Sequence, residues 1–305
     1  MKIKPAVYLL ASILVIAATV AAVSILNKTG ADDETTATDA AITSAETSVE
    51  TIPSEPSLET TVTETVAPTS TPEPTPAPEP QFISDLSAYA PGDVIDSSLI
   101  DTSDLAQYFT ISEINEGDPV YQRIYGQSYV DNNDIALSDL RYLKMLHVNF
   151  DGCYQVGEMI VNASVAQEVT DIFVQLCASG YEIYSMYLID DFWAGNGTDS
   201  DSNSIDHNNT SCFCYRPASG SSHISRHALG LAIDINPQQN PYVRVQNDGS
   251  LTWSHENASD YVYDRSSSTP HVITQEDYAY QLFTSGGWTW GGSWNNPIDY
   301  QHFQK

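Results

Sequence analysis

The stretch Ser225–Asn236, SRHALGLAIDIN, sets a histidine and an aspartate seven positions apart with only small or aliphatic residues between them. On a straight strand, side chains alternate, so positions seven apart point to opposite faces. Gly230 removes that obstacle, because a residue without a Cβ can turn the chain and let backbone approach closely. Beyond it, LAIDI alternates again: Ile233 and Ile235 face one side, Ala232 and Asp234 the other. A carboxylate on the face lined by small Ala232 then reaches back to the imidazole of His227.

Such a pair is a weak signal alone and needs a third ligand and a base. The C-terminal DYQHF supplies both, as Asp299 and His302. Two histidines and one aspartate, His227, Asp234 and His302, hold zinc in this reading, and a catalytic zinc keeps one position for water. A neighbouring carboxylate, Asp299, accepts the proton of that water.

The segments around these residues resemble the zinc peptidases of bacterial cell walls. These are the VanY-like D-alanyl-D-alanine carboxypeptidases and L-alanyl-D-glutamate endopeptidases. The signature Ser-x-His-x6-Asp followed by a late acid-x-x-His reads here as Ser225-Arg226-His227 to Asp234, then Asp299-Tyr300-Gln301-His302. NNTSCFCYRP and GGWTWGGSW are also similar to that family, and the likeness runs from about Asp101 to the end. The resemblance implies a compact α+β zinc-peptidase fold of the hedgehog/D,D-peptidase type. It implies Zn2+ on His227, Asp234 and His302, with Asp299 as general base. It further implies that Arg216 in CYRP stabilises the oxyanion and that Ser225 touches substrate. One position departs from the pattern: Cys214 stands where a polar asparagine is expected, which puts one hydrogen bond in doubt.

The rest of the chain fits an outward-facing wall enzyme. Its 305 residues carry 11 basic and 40 acidic side chains, a formal net charge of −29, and no basic residue lies between Lys28 and Arg123. That leaves no electrostatic footprint for nucleic acid. Lys2 and Lys4 precede an apolar run from Pro5 to Leu26, long enough for a bilayer at roughly 20 residues. We therefore expect a signal-anchor or signal peptide over 1–29, with the acidic remainder outside the cell. Residues 30–81 are rich in Thr, Pro and Glu and have no aromatic side chain, so they are expected to form a disordered linker. The peptidase domain is expected over 82–305, with 82–120 as a lead-in segment, acting as a monomer on peptidoglycan stem peptides.

Local patterns add detail. Val165, Val169, Ile172, Phe173 and Leu176 form one helical stripe, with Ser164 and Gln167 as a capping box. A hairpin is predicted at Asp151-Gly152, a strand in YEIYSMYLID, and a second helix in TQEDYAYQLFTSGG closed by Gly286. Strands and helices mix without regular alternation, which is the α+β pattern. Cys153, Cys177, Cys212 and Cys214 read either as disulfide partners in an oxidising compartment or as buried thiols.

Rival chemistries lack their residues. No lysine follows a serine by three, no His-Glu-x-x-His occurs, and no Gly-x-Ser-x-Gly occurs. His147, His207, His223, His255 and His271 read as structural or surface groups, and Trp288, Trp290 and Trp294 as core or cleft wall. The alternatives left open are a different cut at the same zinc site, endopeptidase instead of carboxypeptidase, and a wall-binding protein without turnover.

Overall fold

Residues 81–305 are described by a computed structural model of the chain. The expected membrane segment, and the linker up to residue 80, lie outside the described residues. Among the described residues no helix is long and apolar enough to cross a membrane.

The hairpin expected at Asp151-Gly152 forms the centre of the largest sheet. Its strands are β3 (Leu140–Val148) and β4 (Tyr154–Asn162), paired antiparallel from Leu140↔Asn162 to Val148↔Tyr154. The Asn149 side chain accepts from the backbone N–H of Asp151 and Cys153, and Gly152 takes φ 72°, so the turn closes on itself. Short strands β1 (Val94–Ile95) and β2 (Thr110–Glu113) extend the sheet to the order β1-β4-β3-β2. The lead-in is therefore built into the fold, and it also contributes Leu86, Ile100, Leu105, Tyr108 and Phe109 to the main core.

Helix α2 (Ala166–Ala178), which follows the short α1 (Pro119–Ile124), buries Val169, Ile172, Phe173 and Leu176 against that sheet. Each such side chain contributes about 1.5–3 kcal/mol of transfer free energy. The capping box does not form. Asn162, at the end of β4, accepts from both the backbone N–H and the hydroxyl of Ser164, so the N-cap position falls to Val165 and the helix has no side-chain cap.

The segment YEIYSMYLID is also not a strand. It makes only isolated bridges, Val148↔Glu182 and Ser185↔Asn209. Beside single backbone bonds to Val148, Glu158 and Thr210, two asparagine side chains supply partners: Asn236 binds Tyr184 N–H and the Glu182 carbonyl, and Asn209 binds Tyr187 N–H and the Tyr187 carbonyl.

Two small three-stranded sheets carry the C-terminal half. One has the order β5 (Ala232–Asp234), β10 (His302–Gln304), β8 (Thr289–Trp290). The other runs β7 (Leu251–Trp253), β6 (Tyr242–Val245), β9 (Ile298–Asp299). Between β7 and β8 lies helix α4 (Tyr278–Ser285), whose Phe283 stacks on Phe303 at 4.5 Å. The four cysteines are free. Cys177 and Cys212 are buried in the apolar core, Cys214 is buried against the Gly197 carbonyl and Cys153 is exposed, so the disulfide reading gives way to the buried-thiol one. Burial pushes the Cys177 thiol up to about 12, so it stays protonated and behaves as a small apolar group.

Candidate functional site

Strand register builds the site. In the β5–β10 pair, Ile233 faces Phe303 and Asp234 faces His302. Ile233, Ile235 and Phe303 point into the main core. Period-two alternation then sends Asp234 and His302 together to the opposite face. His227 lies on a single 3-10 turn, His227–Leu229, that ends at Gly230 with φ 65°. A Cβ on Gly230 would stand 2.5 Å from the Asn162 backbone nitrogen, so both the conformation and the space require glycine. The turn expected from the sequence is thus present and brings His227 back over Asp234.

The three ligand atoms lie within 4.8 Å of one another, and all three residues are buried. Asp234 sits 2.9 Å from His302 Nδ1 and 3.3 Å from His227 Nε2, and the two ring nitrogens are 3.2 Å apart. The outward nitrogens are committed elsewhere. His227 Nδ1–H donates to the Cys212 carbonyl at 2.6 Å, and His302 Nε2 meets Gln304 Oε1 at 3.1 Å. Those contacts leave His227 Nε2 and His302 Nδ1 as the inward pair. Orienting contacts of this kind accompany metal-binding histidines. Gln301 donates to Asp234 Oδ2 at 3.3 Å. A buried cluster of two imidazoles and one carboxylate, its remaining polar atoms already satisfied, fits a divalent ion of the zinc type.

Asp299 reaches the same cleft from β9. Its Oδ1 is buried with no hydrogen-bond partner. Burial, opposed by His302 and reinforced by the Asp234 charge, raises the carboxyl to about 7. Gly291 packs directly behind it, where a Cβ would meet the Asp299 carbonyl oxygen at 2.6 Å and leave that carboxyl's strand no room. Burial disfavours the His302 imidazolium, yet the hydrogen bond and charge of Asp234 hold it up at about 9. Asp234 itself is held far below the usual carboxylate range despite its burial, mainly by His227.

Arg216 lines the same cleft and is buried. Its Nη2 pairs with Asp201 at 2.7 Å, its Nη1 donates to the Pro217 carbonyl at 3.2 Å, and its Nε has no partner. Asp201 was not foreseen. It lies on α3 (Gly197–Asp206), a helix hidden in a Ser/Asp-rich run and capped by Asn196, which accepts from Asp199 N–H at 3.0 Å. Ser225 is at the cleft wall, where its Oγ accepts from His227 N–H at 3.2 Å, so its hydroxyl first serves to fix the turn. At the departing position, the Cys214 thiol keeps a polar contact, donating to the Gly197 carbonyl at 3.4 Å.

The cleft has a volume of about 470 Å³, in the range of small-ligand sites. Of the three tryptophans in the Gly-rich segment, Trp294 lines it, 5.4 Å from the His302 ring, while Trp288 and Trp290 belong to the core. His255 lies at the cleft with Asp206 at 2.7 Å, and His271 stacks on Phe150 at 3.7 Å. His147 is buried and His223 exposed, and neither joins the cluster.

A family model described as D-alanyl-D-alanine carboxypeptidase matches residues 219–305. That span holds His227, Asp234, Asp299 and His302, and begins just after Arg216. The match supports a peptidase family and with it a hydrolase. The comparisons with curated proteins and with solved structures give no match.

Proposed function

We propose that the chain is a zinc-dependent peptidase of peptidoglycan stem peptides, acting as a D-alanyl-D-alanine carboxypeptidase. The observation that carries this reading is the convergence of three metal-type donors, an unpartnered buried carboxyl and a buried arginine on one cleft. His227, Asp234 and His302 would hold the zinc, which when bound supplies a Lewis acid and eases deprotonation of water.

The protein's own groups do the remaining work. Asp299, buried in the cleft with its Oδ1 unpartnered, would take the proton of the attacking water and return it to the leaving amine. Arg216, which lines the cleft, would offer guanidinium donors to the carbonyl oxygen as it gains negative charge on attack. Asp201 holds that guanidinium in place and offsets the penalty of burying it. Gln304 and the Cys212 carbonyl fix the ring orientations of the two histidines. The apolar N-terminal run supports a position on the outer face of the cell membrane, or secretion after cleavage, with the cleft presented to the wall as a monomer.

Mass spectrometry of products from a defined pentapeptide stem, with and without a chelator, tests the reading. Loss of one terminal D-alanine, abolished by the chelator, is expected. A split after the first L-alanine would assign the endopeptidase cut instead. No product under any metal condition would reject hydrolysis and leave a wall-binding protein.

A further inference from the structure

The described residues contain eight cationic side chains, and six of them are engaged. Arg123 pairs with Glu158 and Asp191, Arg141 with Glu113, Arg216 with Asp201, and Lys305 with Glu168. Lys144 donates to the Tyr89 carbonyl, and Arg265 to Asn240 and the Ile273 carbonyl. The other two, Arg226 and Arg244, form no ion pair among the described residues, Arg244 meeting only the Tyr242 side chain, and both line the catalytic cleft. In a chain of net charge −29, the two unneutralised guanidiniums thus stand beside the proposed zinc ligands. A field of that sign attracts an anion locally that the molecule as a whole repels.

Strand geometry distinguishes the two. On β6, Val243 is fully buried, so Tyr242 and Arg244 share the outward face. Tyr242 is the cross-strand partner of Asp299. The Arg244 guanidinium lies over the Tyr242 ring, 5.5 Å from its centroid. Its Nη2 extends toward Gly220, 3.5 Å from where a Cβ there would stand. Arg244 therefore continues the cleft outward from the base. Arg226 instead belongs to the turn that carries His227.

We propose that Arg244 anchors the free C-terminal carboxylate of the residue being released, and so selects an exopeptidase cut. This rests on the reading of Asp299 as the group that protonates the leaving amine. The released residue then lies on the Asp299 side of the cleft, and in a carboxypeptidase its carboxylate is one carbon from that amine. A planar guanidinium fork matches a carboxylate with two parallel hydrogen bonds, which a lysine does not reproduce.

The test is equilibrium binding to the full-length chain in an Asp299→Asn background that blocks turnover. The ligands are a stem peptide ending in D-alanyl-D-alanine as the free acid, the same peptide as its C-terminal amide, and the amide retaining an acidic side chain. The free acid is expected to bind about tenfold or more tightly than either amide, since a hydrogen-bonded charge contributes ~1.5 kcal/mol or more and 1.4 kcal/mol is tenfold. Arg244→Gln should remove that preference and leave the amides within about twofold, Arg244→Lys should restore part of it, and Arg226→Gln should preserve it. With Asp299 intact, Arg244→Gln should raise KM for the free acid with little change in kcat. An acid-to-amide ratio unchanged by Arg244→Gln overturns the proposal, as does a loss confined to the side-chain carboxylate or an absence of binding by all three peptides. Failure of the hydrolytic reading shows separately, as no cleavage of the stem by the unsubstituted protein.

Discussion

Gly230→Ala probes the joint between fold and site. Two terms can be worked out. Alanine at φ 65° carries the left-handed penalty of about 1–2 kcal/mol. Its Cβ would also stand 2.5 Å from the Asn162 nitrogen and 2.9 Å from the Val161 carbonyl carbon, both backbone atoms of β4 that cannot rotate aside. Forcing them apart adds about 1–3 kcal/mol. It also strains the bonds from Asn162 N–H to the Gly230 carbonyl and from the Asn162 side chain to the Leu229 carbonyl, both 2.9 Å. We expect a loss of about 2–5 kcal/mol by urea unfolding monitored through tryptophan fluorescence. Gly249→Ala is the control, because Gly249 also has a positive φ but an added Cβ there meets nothing within 4 Å. It should lose only the conformational part. The Gly230 variant should also bind zinc more weakly in competition with a chromogenic chelator, since the displaced turn carries His227. Equal losses in the two variants, with unchanged zinc affinity, would refute the argument that this close approach sets the site.

Three further outcomes follow from buried polar groups. His147 is buried, and burial, only partly opposed by Gln155, lowers its imidazole from 6.5 to about 4. The folded value lies below the unfolded one, so its contribution is intact above pH 6.5 and is lost as pH falls toward 4, amounting to roughly 3 kcal/mol at 1.36 kcal/mol per unit. His147→Leu should therefore gain on the unsubstituted protein steadily between pH 6.5 and 4 in denaturant titrations; parallel pH profiles would contradict this. Arg123→Met leaves the fully buried Glu158 with Tyr142 but without its cation, at a loss of about 3–5 kcal/mol, and Glu158→Gln added to it should recover part of that in a double-mutant cycle. Asp201→Asn keeps the shape beside Arg216 but removes the charge, so kcat/KM on a stem peptide should fall about tenfold or more with little change in KM; a change in KM alone would detach Asp201 from the reaction.

The His-Asp-His cluster is more readable in the sequence than the supports around it. His227, Gly230 and Asp234 could be interpreted locally, because one glycine and one alternating run decide where two side chains point. Asp299 and His302 followed from needing a base and a third ligand near each other. Asp201 carried no such signal: it lies in GTDSDSNSID, whose polarity reads as loop, and only its tertiary pairing with Arg216 reveals its place. YEIYSMYLID has the composition of a strand, yet beside single backbone bonds to Val148, Glu158 and Thr210 it relies on the side chains of Asn209 and Asn236, which lie 22 and 52 positions from the N–H groups they receive. No local pattern reports a partner so distant. The capping box at Ser164 failed for a related reason, since Asn162 offered the nearer acceptor.

The β5–β10 register links the hydrophobic core to the face that carries the His-Asp-His cluster. Shifting one strand by a single residue would set His302 opposite Ile233 or Ile235 and turn an imidazole into the main core. What opposes the slip is not the polar cluster, whose burial is itself costly. It is the burial of Ile233, Ile235 and Phe303, with Phe303 stacked on Phe283 at 4.5 Å and near-parallel to Trp290. Those contacts favour one register by several side chains' worth of transfer free energy, about 1.5–3 kcal/mol each. Asp234 and His302 are held together against their own desolvation because their strand neighbours have nowhere else to go. The alternation in LAIDI and in HFQ therefore specifies the metal-type cluster through the apolar residues between the ligands.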